Sequence, residues 1–292
     1  MPRSAGRWAG VVFGGAALGA VIATGVFVNG YHPVTHDDTC AVTGQDGLTW
    51  VRSAEQANNA ALVAAVGARR ELGTFASTIG IATAMQESGL RNLDYGDRDS
   101  LGLFQQRPSQ GWGTEEEVTD PHHASLAFYW ALKKIEGWED MRVTDAAQTV
   151  QRSGFPEAYE KHAPEAQAWA EAFRGDTAFA AVTCDLDEVD VASSAKAFTT
   201  RLTADWGKST YEVQVLGINA HAVLLGITAP TGDERDLDAV ANWSVGVASE
   251  QAVASVRYGD AQWVREQGVG QPTAPVDFDG VLVGIVTATP SR

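Results

Sequence analysis

From Trp8 to Val28 the chain runs for 21 residues without a charge, and a helix of that length rises enough to cross the hydrocarbon core of a membrane. No other feature restricts the possible folds as strongly, because it assigns the first residues to lipid and leaves the globular structure to form after them. Arg3 and Arg7 precede the run and Asp37 and Asp38 follow it, so the positive-inside rule leaves a cytoplasmic stub and places the remaining chain outside. A cleaved signal peptide would carry a shorter apolar region ending at a small-x-small site, of which Ala20-Val21-Ile22-Ala23 is a poor example. The expectation is a single-pass anchor in the cell membrane over residues 1–30, followed by a connector over 31–49.

The two cysteines agree with that topology. Cys40 and Cys184 bracket the middle of the chain, and an even pair outside the cell reads first as a disulfide tying together the ends of one domain. Two unpaired buried thiols would suit a cytosolic chain better. With 292 residues and 45% hydrophobic content, one large or two modest cores are within reach. A formal charge of −16 excludes a broad electrostatic footprint for nucleic acid. Neither a phosphate-binding glycine loop, a dinucleotide turn nor a Cys/His cluster at metal-ligand spacing is present, so no cofactor and no metal are expected.

Ser53-Ala54-Glu55-Gln56 has capping-box spacing for a helix running to about Leu72, with Gly73 closing it. A second helix is expected from Thr74 to Glu87-Ser88, where Gly89 follows the last turn. Residues 89–121 hold Gly96, Gly102, Gly111 and Gly113 among polar residues and read as a long ordered loop, the kind that is usually functional. Asp120-Pro121 opens a third helix to about Glu136, Thr144 caps a fourth ending near Ser153-Gly154, and Pro156-Glu157 opens a fifth ending at Arg174-Gly175.

Past Cys184 the pattern changes. A helical stretch over Ala192–Trp206 precedes two β-type runs, Tyr211–Ile218 and His221–Thr228, joined as a hairpin at Asn219-Ala220. Leu237, Val240, Ala241, Ser244 and Val247 fall at helical spacing, and Ala252–Tyr258 and Val281–Thr287 are further strands. The expected fold is mainly α: an N-terminal transmembrane helix, a helical domain over 50–184, and a small α+β domain over 190–292.

Glu87 is the first residue to consider for chemistry. The carbonyl end of its helix disfavours a second negative charge, and desolvation in a cleft acts in the same direction, so both raise its pKa. A carboxylic acid kept protonated near neutral pH can give its proton to a glycosidic oxygen. The bland alternative is a solvated Glu at a helix end.

Glu87-Ser88-Gly89-Leu90, followed by Ser100-Leu101-Gly102-Leu103-Phe104-Gln105, resembles the catalytic region of soluble lytic transglycosylases and goose-type lysozymes. Glu87 and Gln105 lie 18 positions apart, which agrees with that family if Phe104 stands where Met is usual. Leu48 to Gly175 also looks like a group of membrane-anchored actinobacterial proteins carrying this domain, with Asp94-Tyr95-Gly96-Asp97-Arg98-Asp99 between the motifs. The resemblance implies a lysozyme-like fold, with Glu87 as acid/base, Ser88 as a supporting hydroxyl, Gln105 as a cleft residue and Gly102 allowing close backbone approach. The family's third signature, Ala-Tyr-Asn-Ala-Gly, is not preserved. The comparable stretch reads Thr149-Val150-Gln151-Arg152-Ser153-Gly154, which leaves Gln151 as a substrate-side residue and Tyr159 or Tyr95 to replace the missing tyrosine.

Asp97 and Asp99 pose a mechanistic choice. Either, facing Glu87 with room for water between, would allow inverting hydrolysis; otherwise the resemblance implies attack by the sugar's own 6-hydroxyl and a 1,6-anhydro product. Loop capping through Asx turns is the favoured reading for both. Trp112, in the polar loop, is the best sugar-stacking surface, while Trp130 and Trp138 read as core. His122 and His123 read as surface residues. Two functions from different classes follow: an anchored peptidoglycan-cleaving glycosidase or lytic transglycosylase acting on the MurNAc-GlcNAc strand, or a wall-binding scaffold that keeps the fold with little turnover. Expected partners are glycan strands, the membrane through the N-terminal helix, and a protein docking on the C-terminal domain.

Overall fold

The computed structural model describes residues 38–153, 157–272 and 278–288. The first helix, α1 (Ala54–Arg69), starts at the expected capping box: Ser53 accepts from the Gln56 backbone and Gln56 reaches back to Ser53. Its alanine-rich surface is buried from Ala54 to Gly67 apart from Glu55, because it is the central element, packed against six other helices. The second, α2 (Thr74–Ser88), stops where Gly89 turns left-handed at φ 63°. The N–H groups of Gly89 and Leu90 then bond back to Met85 and Ala84 (3.1 and 3.0 Å). A Cβ on Gly80, within α2, would sit 2.7 Å from the Tyr129 hydroxyl, so glycine there lets the ring reach the Val63 carbonyl at 2.9 Å.

The polar loop contains a short helix, α3 (Glu115–Thr119), which follows directly from a Thr114/Glu117 capping box. Next come α4 (Pro121–Leu132), α5 (Val143–Gln151) and α6 (Ala163–Phe173). The third expected helix therefore ends at Leu132 rather than Glu136, since Gly137 reverses the chain at φ 72°. Pro156, expected to open the fifth, lies outside the described residues, and a 3-10 turn over Glu160–His162 leads into α6 instead.

Residues 39–53, read as connector and helix approach, form two strands. β1 (Thr39–Thr43) pairs with β2 (Thr49–Ser53) and with β3 (Val182–Asp185), both antiparallel. Cys40 and Cys184 are direct register partners and form a disulfide, closing a span of 144 residues. Long loops gain most from such a link. Reduction, or joint Cys40→Ser and Cys184→Ser substitution, is expected to lower stability by about 2–4 kcal/mol, measured as a fall in the urea midpoint. Equal midpoints for oxidised and reduced protein would refute it.

The remaining chain adds α7 (Ala195–Trp206), β4 (Glu212–Ile218), β5 (Ala222–Thr228), α8 (Glu234–Gly246), α9 (Ala248–Gln251), β6 (Val253–Tyr258), β7 (Ala261–Val264), β8 (Gly268–Gly270) and β9 (Val281–Val286). Its strands make one antiparallel sheet in the order β4-β5-β9-β6-β7-β8. A single hydrophobic cluster runs from Val42 through Ile79, Phe128 and Trp169 to Trp243, Trp263 and Ile285.

Two expectations are corrected. The fold is α+β rather than mainly α: two antiparallel sheets of three and six strands share that core with the helices. The strands at 39–53 escape a local reading because β1 finds β3 only across the long loop. Among the described residues no helix is long and apolar enough to cross a membrane. The stretch Trp8–Val28 lies outside the described residues, and the single-pass membrane assignment is withdrawn.

Candidate active site

Glu87 occupies the last turn of α2 and is half-buried. The next residue fixes the turn to the glycine-rich loop: the Ser88 hydroxyl donates to the Leu103 carbonyl at 2.7 Å and accepts from the Arg91 N–H at 3.2 Å. The loop itself is held by two isolated β-bridges, Leu93 with Gly102 and Leu101 with Gln106. Gly102 adopts φ 75°, and a Cβ there would meet the Val118 carbonyl oxygen at 2.0 Å. The sequence reading assigned it a close backbone approach; the approaching group is the protein's own α3.

Two side chains converge on the Glu87 carboxylate. The Tyr159 hydroxyl, on a fully buried residue, donates to Glu87 Oε1 at 2.6 Å. Gln151, at the end of α5, donates through Nε2 to the Phe104 carbonyl at 2.8 Å and lies near enough to Glu87 to favour its charged form. Burial pushes the Glu87 pKa above the ordinary carboxylate range, and the nearby Tyr159 hydroxyl and Gln151 amide offset only part of that. The Tyr159 hydroxyl is pushed up in turn by its own burial and the neighbouring Glu87 charge.

One turn further, His162 Nε2 lies 3.2 Å from Gln86 Oε1. Burial pulls its pKa down, helped by the charges of Lys161 and Arg52 and opposed by Glu165. Beneath it Arg52, on β2, makes a bidentate pair with Glu165 on α6 (2.6 Å for both bonds), and Trp169 Nε1 donates to the same carboxylate at 3.3 Å. The 3-10 turn Glu160–His162 packs on α2 and α6. Neither His162 nor the Arg52–Glu165 pair was legible in the sequence, because partners 113 positions apart leave no local pattern.

Other expected site residues are placed elsewhere. Gln105 sits at φ 48° and turns its amide onto its own loop, donating to the Tyr95 and Gly102 carbonyls at 3.2 Å each. Asp97 is almost fully exposed, 3.9 Å from its neighbour Arg98. Asp99 is held far below the usual carboxylate range by the Ser109 hydroxyl and N–H and by Arg107, the last at 2.7 Å. Its role as a loop clamp explains its geometry without a catalytic one. Tyr95 is 68% exposed and borders a surface pocket of about 550 Å³ that also includes Asp94, Ser100 and Glu116.

Trp112 is partly buried against the core. Trp138 is core, stacked on Phe75 at 6.4 Å between ring centroids. Trp130, expected to be packed, is instead 59% exposed with the Lys134 ammonium over its ring. His122, expected at the surface, is half-buried with Nε2 2.5 Å from Asp205, and His123 is half-buried beside it. Among the described residues no three His, Cys, Asp or Glu side chains are arranged to hold a metal ion. Compared with known proteins, the chain matches no family model and no curated protein.

Proposed function

We propose that this chain cleaves the MurNAc-GlcNAc glycan strands of peptidoglycan, with Glu87 as its single general acid/base. The observation that carries the reading is the Tyr159 hydroxyl on Glu87 Oε1 at 2.6 Å, at a half-buried helix end where burial raises the pKa of the carboxyl group. The motif spacing from Glu87 to Gln105 adds to it. In the first step Glu87 gives its proton to the glycosidic oxygen as the bond from that oxygen to C1 breaks. In the second, the 6-hydroxyl of the same sugar bonds to C1 and its proton returns to the Glu87 carboxylate. The enzyme is regenerated, and no water is consumed.

The intramolecular route is favoured over hydrolysis by the state of the two aspartates. Asp97 is solvated, and Asp99 is paired with Arg107, so neither acts on a water opposite Glu87. The wall-binding alternative is favoured by one observation, the Gln105 amide turned onto its own loop. Purified glycan strands incubated with the protein decide among these, with the products weighed by mass spectrometry. Fragments bearing 1,6-anhydro ends are expected. Fragments heavier by one water would replace the transglycosylase route by hydrolysis, and strands bound but uncut would leave only the binding function.

A further inference from the structure

We infer that His162 is a positioning residue: through its bond to Gln86 it ties the 3-10 turn Glu160–His162 to the last turn of α2, so that Tyr159, at the head of that turn, keeps its hydroxyl on Glu87. The inference rests on Glu87 as the proposed acid. Two consecutive residues of α2 each meet one side chain of the turn, the Tyr159 hydroxyl standing on Glu87 Oε1 at 2.6 Å and His162 Nε2 standing 3.2 Å from Gln86 Oε1. The backbone joins the two contacts. The His162 N–H bonds to the Tyr159 carbonyl at 3.0 Å, so a movement of one end of the turn is carried to the other.

The bond to Gln86 requires one tautomer. An amide oxygen only accepts, so Nε2 carries the ring hydrogen of the neutral imidazole. Burial, with the charges of Lys161 and Arg52 and against that of Glu165, holds the His162 pKa below its ordinary value, which keeps the ring neutral at neutral pH. Its single N–H is then committed to Gln86. On its other side His162 leads directly into α6, whose Glu165 is gripped by Arg52 of β2. A hydrogen bond from a hydroxyl to a carboxylate is short and strong only while the two oxygens keep their separation. Holding the turn in place therefore holds the carboxylate in one orientation through a reaction in which it is first acid and then base.

His162→Phe keeps a planar ring and removes the donor, whereas His162→Gln keeps a donor. Gln86→Leu removes the acceptor and covers failure of the first variant to fold. The readout is NMR titration of the carbon-13-labelled Glu87 carboxyl group in the full chain, with a melting curve for each variant. His162→Phe and Gln86→Leu are expected to raise the Glu87 pKa by on the order of one pH unit, because a displaced Tyr159 no longer stabilises the anion. His162→Gln should leave it near the wild-type value. The alkaline limb of the kcat/KM profile moves up with the titration, since cleavage begins from protonated Glu87. In a Tyr159→Phe background, His162→Phe is expected to shift nothing further. A direct effect of the imidazole charge on Glu87 would persist there and overturn the inference. An unshifted titration in folded His162→Phe or Gln86→Leu protein overturns it too, as does His162→Gln shifting as far as His162→Phe. A shift that Tyr159→Phe abolishes, in a protein that cuts no glycan, supports the positioning role and refutes the proposed reaction instead.

Discussion

Glu87→Gln is expected to lower glycan cleavage by on the order of a hundredfold to ten-thousandfold, the usual contribution of general acid catalysis, with little change in melting temperature. The amide matches the carboxyl group in size, and its oxygen can still accept from the Tyr159 hydroxyl at the 2.6 Å site. Because Glu87 is held above the ordinary carboxylate range by burial, a neutral amide suits the same surroundings and packing is preserved. What the amide cannot do is release a proton to the leaving oxygen or take one back. The measurement is the rate of new chain ends from purified glycan strands, with thermal melts of both proteins. Equal rates at equal stability would remove Glu87 as the acid, and the enzyme reading with it.

The largest expected loss of stability is at Asp205, a wholly buried carboxylate near the end of α7. It accepts from Arg201 Nε through both oxygens (2.9 Å each) and from Trp243 Nε1 at 2.9 Å, with His122 Nε2 at 2.5 Å. Arg201 continues to Glu250 (2.8 Å) and to Asn58 on α1 (3.0 Å). Asp205→Ala leaves a buried guanidinium and an indole N–H facing a void. Breaking a buried pair from one side costs about 3–5 kcal/mol. Asp205→Asn keeps an acceptor oxygen and is expected to lose less. Urea unfolding at constant slope reads both, and an Asp205→Ala loss below about 1 kcal/mol, the range of exposed pairs, would show that water replaces the network.

How far the sequence foretold this structure depended on how locally each feature is encoded. The start of α1 and the end of α2 follow from Ser53/Gln56 and from Gly89, each within one turn of the helix end it sets, whereas α1 stops at Arg69, short of the expected Leu72, and Gly73 caps the start of α2 instead. The β4–β5 hairpin was equally readable, since its register turns at Asn219. The capping box at Thr114/Glu117 carried as clear a pattern for α3, but the surrounding glycines drew attention to a loop. The short strands β1 and β2 had no such mark: five residues each, stabilised by pairing to β3 and by the disulfide rather than by their own propensity.

The site divides along the same line. Glu87 and Ser88 were singled out from a spaced motif, and Tyr159, whose hydroxyl donates to Glu87, was named with Tyr95 as a replacement for a missing tyrosine. The direction of the Gln105 amide, onto the Tyr95 and Gly102 carbonyls, was not readable, because nothing in the motif says which way an amide turns when its backbone goes left-handed. Nor could Trp130 be told from a core aromatic: it stands on a helix whose other aromatic residues, Phe128 and Tyr129, are buried, and Lys134 covers a ring that hydropathy alone assigns to the interior. His122 was missed because its partner lies 83 positions away on α7.

The position of β9 bears on how the protein is made. Among the described residues it is the last strand in chain order, yet it lies inside the sheet between β5 and β6, bonded to both. Ribosomal synthesis delivers the β4–β5 hairpin and the β6–β7–β8 meander first, as two pieces with raw edges at β5 and β6. Such edges are templates for pairing with other nascent chains. Until Val281–Val286 has left the exit tunnel the two pieces cannot join, so a pause in translation before that point prolongs exposure of the unpaired edges of β5 and β6.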